Sequence, residues 1–123
     1  MFEKEKKEIL KACLQMKEYQ LISLTGGNVS LKIDDDTYLV TPSGMLYEEM
    51  TYEDICVIDH ECNLKEGCRK PSSDSSALIY IFDKMPKVRS IIHTHQPYAT
   101  AIGLTNDSLP ACMVTLIDAN HAR

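Results

Sequence analysis

The chain has 123 residues, and its 13 Lys and Arg against 18 Asp and Glu leave a net charge of −5. With 44% apolar and 25% charged residues it has the profile of an ordinary globular domain, long enough for one core and too short for two. The acid excess excludes a nucleic-acid module, which needs a Lys/Arg stripe to neutralise phosphates, and no apolar run approaches the ~18 residues of a membrane span.

The N-terminus, MFEKEKKEIL, is charged and carries no apolar stretch resembling a signal peptide. Five cysteines, odd in number and without a C-x-x-C pair, point to reduced thiols and a cytoplasmic location. No repeat, linker or low-complexity tract divides the chain, so one domain is expected.

Residues 2–18 place Phe2, Ile9, Leu10, Cys13 and Leu14 at helical spacing among Lys and Glu, which predicts an amphipathic helix. Thr25-Gly26-Gly27-Asn28 is a breaker cluster and must be a loop. Residues 29–33 alternate with period two and meet residues 37–41 across Asp34-Asp35-Asp36, the pattern of a β-hairpin, ended by Pro42-Ser43-Gly44.

Thr51 caps a short turn before a third strand at 55–59, His60 lies in the turn that follows, and residues 65–70 form a short edge strand. Pro71-Ser72-Ser73-Asp74 starts a helix, with hydroxyls to cap it and an acid in its first turn. That helix runs through Ala77, Leu78, Ile81 and Phe82 to Pro86. A strand at 88–95, a short helix at 97–103 and a strand near 113–117 complete the chain. The sum is an α/β fold: a single layered domain with a central mixed, mainly antiparallel sheet flanked by helices.

Three groups of residues carry chemistry. In His93-Thr94-His95, residues i and i+2 of a strand project to one face, so both imidazoles can converge on one Zn²⁺ or another divalent ion. Ordinary hydrogen bonds would satisfy them equally well. Gly27-Asn28, Ser43-Gly44 and Ser72-Ser73 are small polar breaks whose free N–H groups or hydroxyls can cradle a phosphate without lysine, or form plain turns. Asp74 is either an acid/base group or a helix-terminal acid of no chemical consequence.

The order of these segments, Thr25 to Ser30, Thr41-Pro42-Ser43-Gly44, Lys70 to Asp74, then Ile92-His93-Thr94-His95 followed by Tyr98-Ala99-Thr100-Ala101, resembles the class II aldolase/adducin family, whose enzymes include L-fuculose-phosphate aldolase and L-ribulose-5-phosphate 4-epimerase. The resemblance implies that Gly27, Asn28, Ser43, Gly44, Ser72 and Ser73 hold a substrate phosphate and that His93 and His95 are metal ligands, the metal being Zn²⁺. It also implies that Asp74 is an acid/base carboxylate or, as in the epimerases, an aspartate near or on the metal. Asp118 is implied to be an acid/base aspartate, a plain strand-end carboxylate being its other reading.

The activity implied is metal-dependent retro-aldol cleavage of a ketose phosphate, with sugar-phosphate epimerisation as the alternative and a non-catalytic adducin-like interaction module as a distant third. A homotetramer working in carbohydrate and pentose catabolism is implied with it, and neither nucleic acid nor membrane as a partner. The family's third metal histidine lies well beyond the H-x-H pair, whereas this chain ends 123 − 95 = 28 residues past His95. His121 is too close to replace that ligand by position. Residues 1–123 are therefore expected to form the N-terminal portion of the family domain, short of one ligand and potentially inactive in this form.

Overall fold

The computed structural model of the chain describes residues 1–108. The strand expected near 113–117, Asp118 and His121 lie outside the described residues.

Helix α1 (Glu3–Glu18) buries Lys6, Ile9, Cys13 and Met16 along one face, with steps of three and four as its period requires. Leu14, expected in that stripe, is 44% exposed, because it sits one residue round the helix from Cys13. Met16 takes the place in the stripe instead. Two strands follow as the hairpin β1 (Asn28–Asp34) and β2 (Thr37–Val40), in a register that sets Ser30 opposite Val40 and Leu31 opposite Leu39. At its tip the Asp36 N–H donates to Asp34 Oδ1 at 2.9 Å, the local turn that an Asp-rich connection favours.

Strand β3 (Cys56–Ile58) pairs with β2, and β4 (Leu64–Glu66) with β3. Strand β5 (Ser90–His93) pairs with β1, so that Asn28 lies opposite His93. The sheet order is β4-β3-β2-β1-β5, and these four pairings are all antiparallel. The last described helices are α2 (Ser75–Lys84) and α3 (Pro97–Thr105). Strand β4 is shorter than the expected 65–70, since Gly67 at φ +120° turns the chain out of the sheet.

Period-two alternation assigns the two faces of the sheet. Val29, Leu39, Ile55 and Val57 pack with Ile9, Cys13 and Met16 of α1. On the other face Tyr38, Val40, Cys56 and Ile58 pack with Leu78, Ile79 and Phe82 of α2, with Ile91 of β5 against them. Ile79 is buried on that face of α2, whereas Ile81 is 36% exposed. The parity has a consequence for function. Asn28 and Ser30 alternate with Val29, and His93 with Ile92, so Asn28 and His93 share the α2 face at the end of the sheet where α2 begins.

Candidate functional site

Two glycines let the loop before β1 close onto the chain that leaves β5. Gly27 sits at φ +78°, and a Cβ there would lie 2.6 Å from the His93 carbonyl oxygen. A Cβ on Gly26 would lie 2.7 Å from His95 Nδ1. The His95 N–H donates to the Leu21 carbonyl at 2.9 Å, which pulls the chain out of the ladder after His93. His95 is therefore not a strand residue as expected. Its ring nevertheless meets that of His93 edge to face, with centroids 4.8 Å apart.

A second stitch joins the loop after β2 to the one before α2. The Ser43 N–H donates to the Lys70 carbonyl at 2.9 Å, and the Ser72 N–H to the Thr41 carbonyl at 3.0 Å. Both amides, candidates for a phosphate oxygen, are thus committed to the backbone. The serine hydroxyls and the neighbouring Gly44 and Ser73 remain for that task. Gly44, at φ +67°, has open space around it.

These segments enclose a cleft of about 120 Å³ lined by residues 25–28, 42–44, 72–74 and His95. Every phosphate-holding candidate lines it, and among the described residues no Lys or Arg does. An anion there would be held by hydroxyls, by backbone dipoles and by the N-terminal end of α2.

Asp74 occupies the N-cap position of α2, yet its side chain makes no capping bond. Its Oδ2 accepts from Asn28 Nδ2 at 2.8 Å and lies 3.2 Å from His93 Nδ1. The expected helix-terminal acid is thus turned away from its own helix toward the histidine. Local closure of the helix start falls to Ser72, whose Oγ accepts the Asp74 N–H at 3.3 Å, and to Ser75, whose Oγ donates to the Ser72 carbonyl at 2.7 Å. Asn28 is 2% exposed and places its amide among Asp74, His93 and Ser72. Its inward placement follows from strand parity and register and has no local signature, so sequence reasoning grouped it with the phosphate loop alone.

The other histidine before the motif is separate from the cleft. His60 sits in the β3–β4 turn with its Nε2 2.9 Å from Asp83 Oδ2, which ties that turn to the last turn of α2.

The chain matches the description "Class II Aldolase and Adducin N-terminal domain" over residues 7–123. It belongs to that family. Among curated relatives, the L-ribulose-5-phosphate 4-epimerase UlaF of Salmonella paratyphi B is 34% identical over 118 residues, which cover 94% of this chain and 51% of that protein. Among solved structures, an L-fuculose 1-phosphate aldolase superposes with a TM-score of 0.78 at 34% identity, covering 86% of this chain and 50% of its own. The L-fuculose-1-phosphate aldolase of Thermus thermophilus shares the fold at a TM-score of 0.75 and 22% identity, covering 93% of this chain and 58% of its own. The chain spans about half the length of the curated relatives it matches.

For a class II aldolase-family domain, the donor set bears on metal binding. Among the described residues no group of three or more His, Cys, Asp or Glu side chains is arranged to hold an ion. Two imidazoles in contact, one backed by a carboxylate on Nδ1, nevertheless have the donor chemistry of two ligands of a divalent ion. A carboxylate behind a ligating histidine is the usual outer partner of such a site. The residues fit as part of a metal site that needs a further ligand.

Proposed function

We propose that this protein is a metal-dependent class II aldolase that cleaves a ketose phosphate by a retro-aldol step. The observation that carries the reading is the contact of Asp74 with His93, at the edge of a cleft walled by small hydroxyl and glycine residues. His93 and His95 would hold the divalent ion, with Zn²⁺, which imidazole nitrogens bind well, as the proposed metal. When bound, that ion supplies a Lewis acid for the substrate's carbonyl oxygen.

The chain's own residues do the rest. Ser43, Ser72 and Ser73 present hydroxyls to the phosphate. Gly27 and Gly44 allow close backbone approach, and Asn28 closes the inner wall. Asp74, held beside the histidines, moves a proton at the reacting end of the sugar. Asp118 is proposed as a second acid/base group on the strength of the family resemblance. A homotetramer in the cytoplasm, serving carbohydrate catabolism, completes the reading.

A second reading, an L-ribulose-5-phosphate 4-epimerase type of activity, is favoured by the name of the 34% identical relatives and by an aspartate at position 74. Both reactions begin by breaking the same kind of C–C bond. In the epimerase the aldehyde fragment turns and is added back on its other face.

The test is the natural full-length polypeptide, loaded with Zn²⁺ and given L-fuculose 1-phosphate and L-ribulose 5-phosphate in parallel. Release of a free aldehyde supports the aldolase. Inversion at C4 without release supports the epimerase. Turnover of neither, in a protein that holds its metal, refutes both.

A further inference from the structure

The side chain of Asn28 is buried and hydrogen-bonded within a cluster whose geometry favours one arrangement of protons over the other. Its Nδ2 lies 2.8 Å from Asp74 Oδ2, 3.3 Å from His93 Nδ1 and 3.4 Å from Ser72 Oγ. The flipped amide would set Oδ1 against the carboxylate oxygen, two acceptors with no proton between them, so the nitrogen faces Asp74. Oδ1 is buried and has no partner among the described residues. Leaving a carbonyl unpaired is costly, and the position tolerates that cost to keep its donor.

His93 Nδ1 lies between a group that can only accept, Asp74 Oδ2 at 3.2 Å, and one that can only donate, Asn28 Nδ2 at 3.3 Å. If Nδ1 were bare it could take a proton from the amide, but its lone pair would then face the carboxylate. If Nδ1 is protonated it donates to Asp74, while the two amide protons of Asn28 go to Asp74 and Ser72 Oγ. In the second arrangement the bonds to Asp74 and Ser72 each pair a donor with an acceptor. The 3.3 Å approach of Nδ2 to Nδ1 is then a longer donor–donor contact, less costly than a lone pair set against a carboxylate at 3.2 Å. We propose that Asn28 is a positioning residue: its amide pins the Asp74 carboxylate as the acceptor of His93 Nδ1–H and thereby fixes the His93 tautomer with a bare, ligating Nε2. This deepens the reading of the site as a metal centre and gives residue 28 a role apart from phosphate contact. An outer partner of this kind fixes ring orientation and raises ligand basicity.

The experiment is imidazole ¹⁵N spectroscopy of the metal-free full-length protein, at a pH where imidazole is neutral, with no substrate present. Wild-type His93 is expected as the Nδ1–H tautomer. Asn28→Ala and Asn28→Ser, the latter too short to reach Asp74, are each expected to shift the population toward Nε2–H and to weaken Zn²⁺ binding by about 10–100-fold. Asp74→Ala should invert the tautomer, because Asn28 then offers its proton to a bare Nδ1. The Asn28 side-chain amide should exchange with solvent far more slowly than that of exposed Asn106.

A folded Asn28 variant that keeps the wild-type tautomer overturns the proposal, as does a wild-type His93 already in the Nε2–H form. If neither position-28 variant folds, the wild-type spectrum and Asp74→Ala decide alone, and failure of Asp74→Ala to invert the tautomer is equally fatal. A lack of sugar-phosphate turnover would count against the proposed function and leave these spectra unaffected.

Discussion

Substituting alanine at Gly27 and at Gly44 isolates how tightly the candidate site is built. Both residues have left-handed backbones, φ +78° and +67°, so the conformational penalty is nearly common to the two: about 1–2 kcal/mol, offset by roughly 0.4–1 kcal/mol from a stiffer unfolded chain. They differ in what the new methyl would meet. At Gly44 nothing lies within 4 Å, so the net loss should be about 1 kcal/mol.

At Gly27 the methyl would fall 2.6 Å from the His93 carbonyl oxygen and 2.7 Å from Ile22 Cγ2. The first of these is backbone held in the β1–β5 ladder and cannot rotate away. Overpacking of that kind adds about 1–3 kcal/mol, which for a domain of this size is a further drop of roughly 5–15 °C in Tm. Urea and thermal unfolding of the two variants beside wild type measure the difference directly. Equal destabilisation, to within about 0.5 kcal/mol, would refute the claim that the glycine loop is closed against the His93 backbone.

Gly26→Ala carries no left-handed penalty, but the new Cβ would fall 2.7 Å from His95 Nδ1 and 3.2 Å from the Ser23 carbonyl oxygen, so it should displace the His95 ring. Loss of the cross-relaxation signal between the His93 and His95 rings is the readout, and an intact signal contradicts the geometry. Burial by itself would raise the Asp54 carboxyl, but hydrogen bonds from the Thr51 N–H, Arg69 and the Thr51 hydroxyl outweigh it and hold the group below its ordinary value of 3.8. Its contribution is therefore present above pH 3.8 and lost as pH falls through the lower folded-state value. Asp54→Asn should lower stability at neutral pH and flatten that acid limb, as followed by unfolding midpoints across pH. Burial pushes the thiol of Cys13 up to about 12 and that of Cys56 up to about 11, whereas Cys68 is exposed. A thiol reagent at mildly alkaline pH should label Cys68 in the native protein and reach Cys13 and Cys56 only on unfolding. Peptide mass mapping would show the order, and early labelling of Cys13 would contradict the packing of α1 on the sheet.

Features whose physics is local were legible in the order of the residues. The apolar spacing of 2–18 is a helical period, and α1 follows it. The alternation on either side of Asp34-Asp35-Asp36 makes β1 and β2 a hairpin, and the Gly26-Gly27 and Ser72-Ser73 clusters break the chain where the structure breaks it. The ordered motifs, with His93-Thr94-His95 as the sharpest, were enough to mark the family.

The tertiary structure decided what each site residue touches. Asn28 and His93 are 65 residues apart and meet only because the β1–β5 register sets them opposite each other on the α2 face. Asp74 could have capped its own helix, and its sequence context favoured that; the amide and imidazole brought beside it are the partners it takes instead. The amides of Ser43 and Ser72 look free in a linear reading, but the stitch between their loops uses both. Helical and strand periods are written in neighbouring residues, whereas register and the choice among competing hydrogen-bond partners depend on groups far apart in the chain, which only the folded molecule brings together.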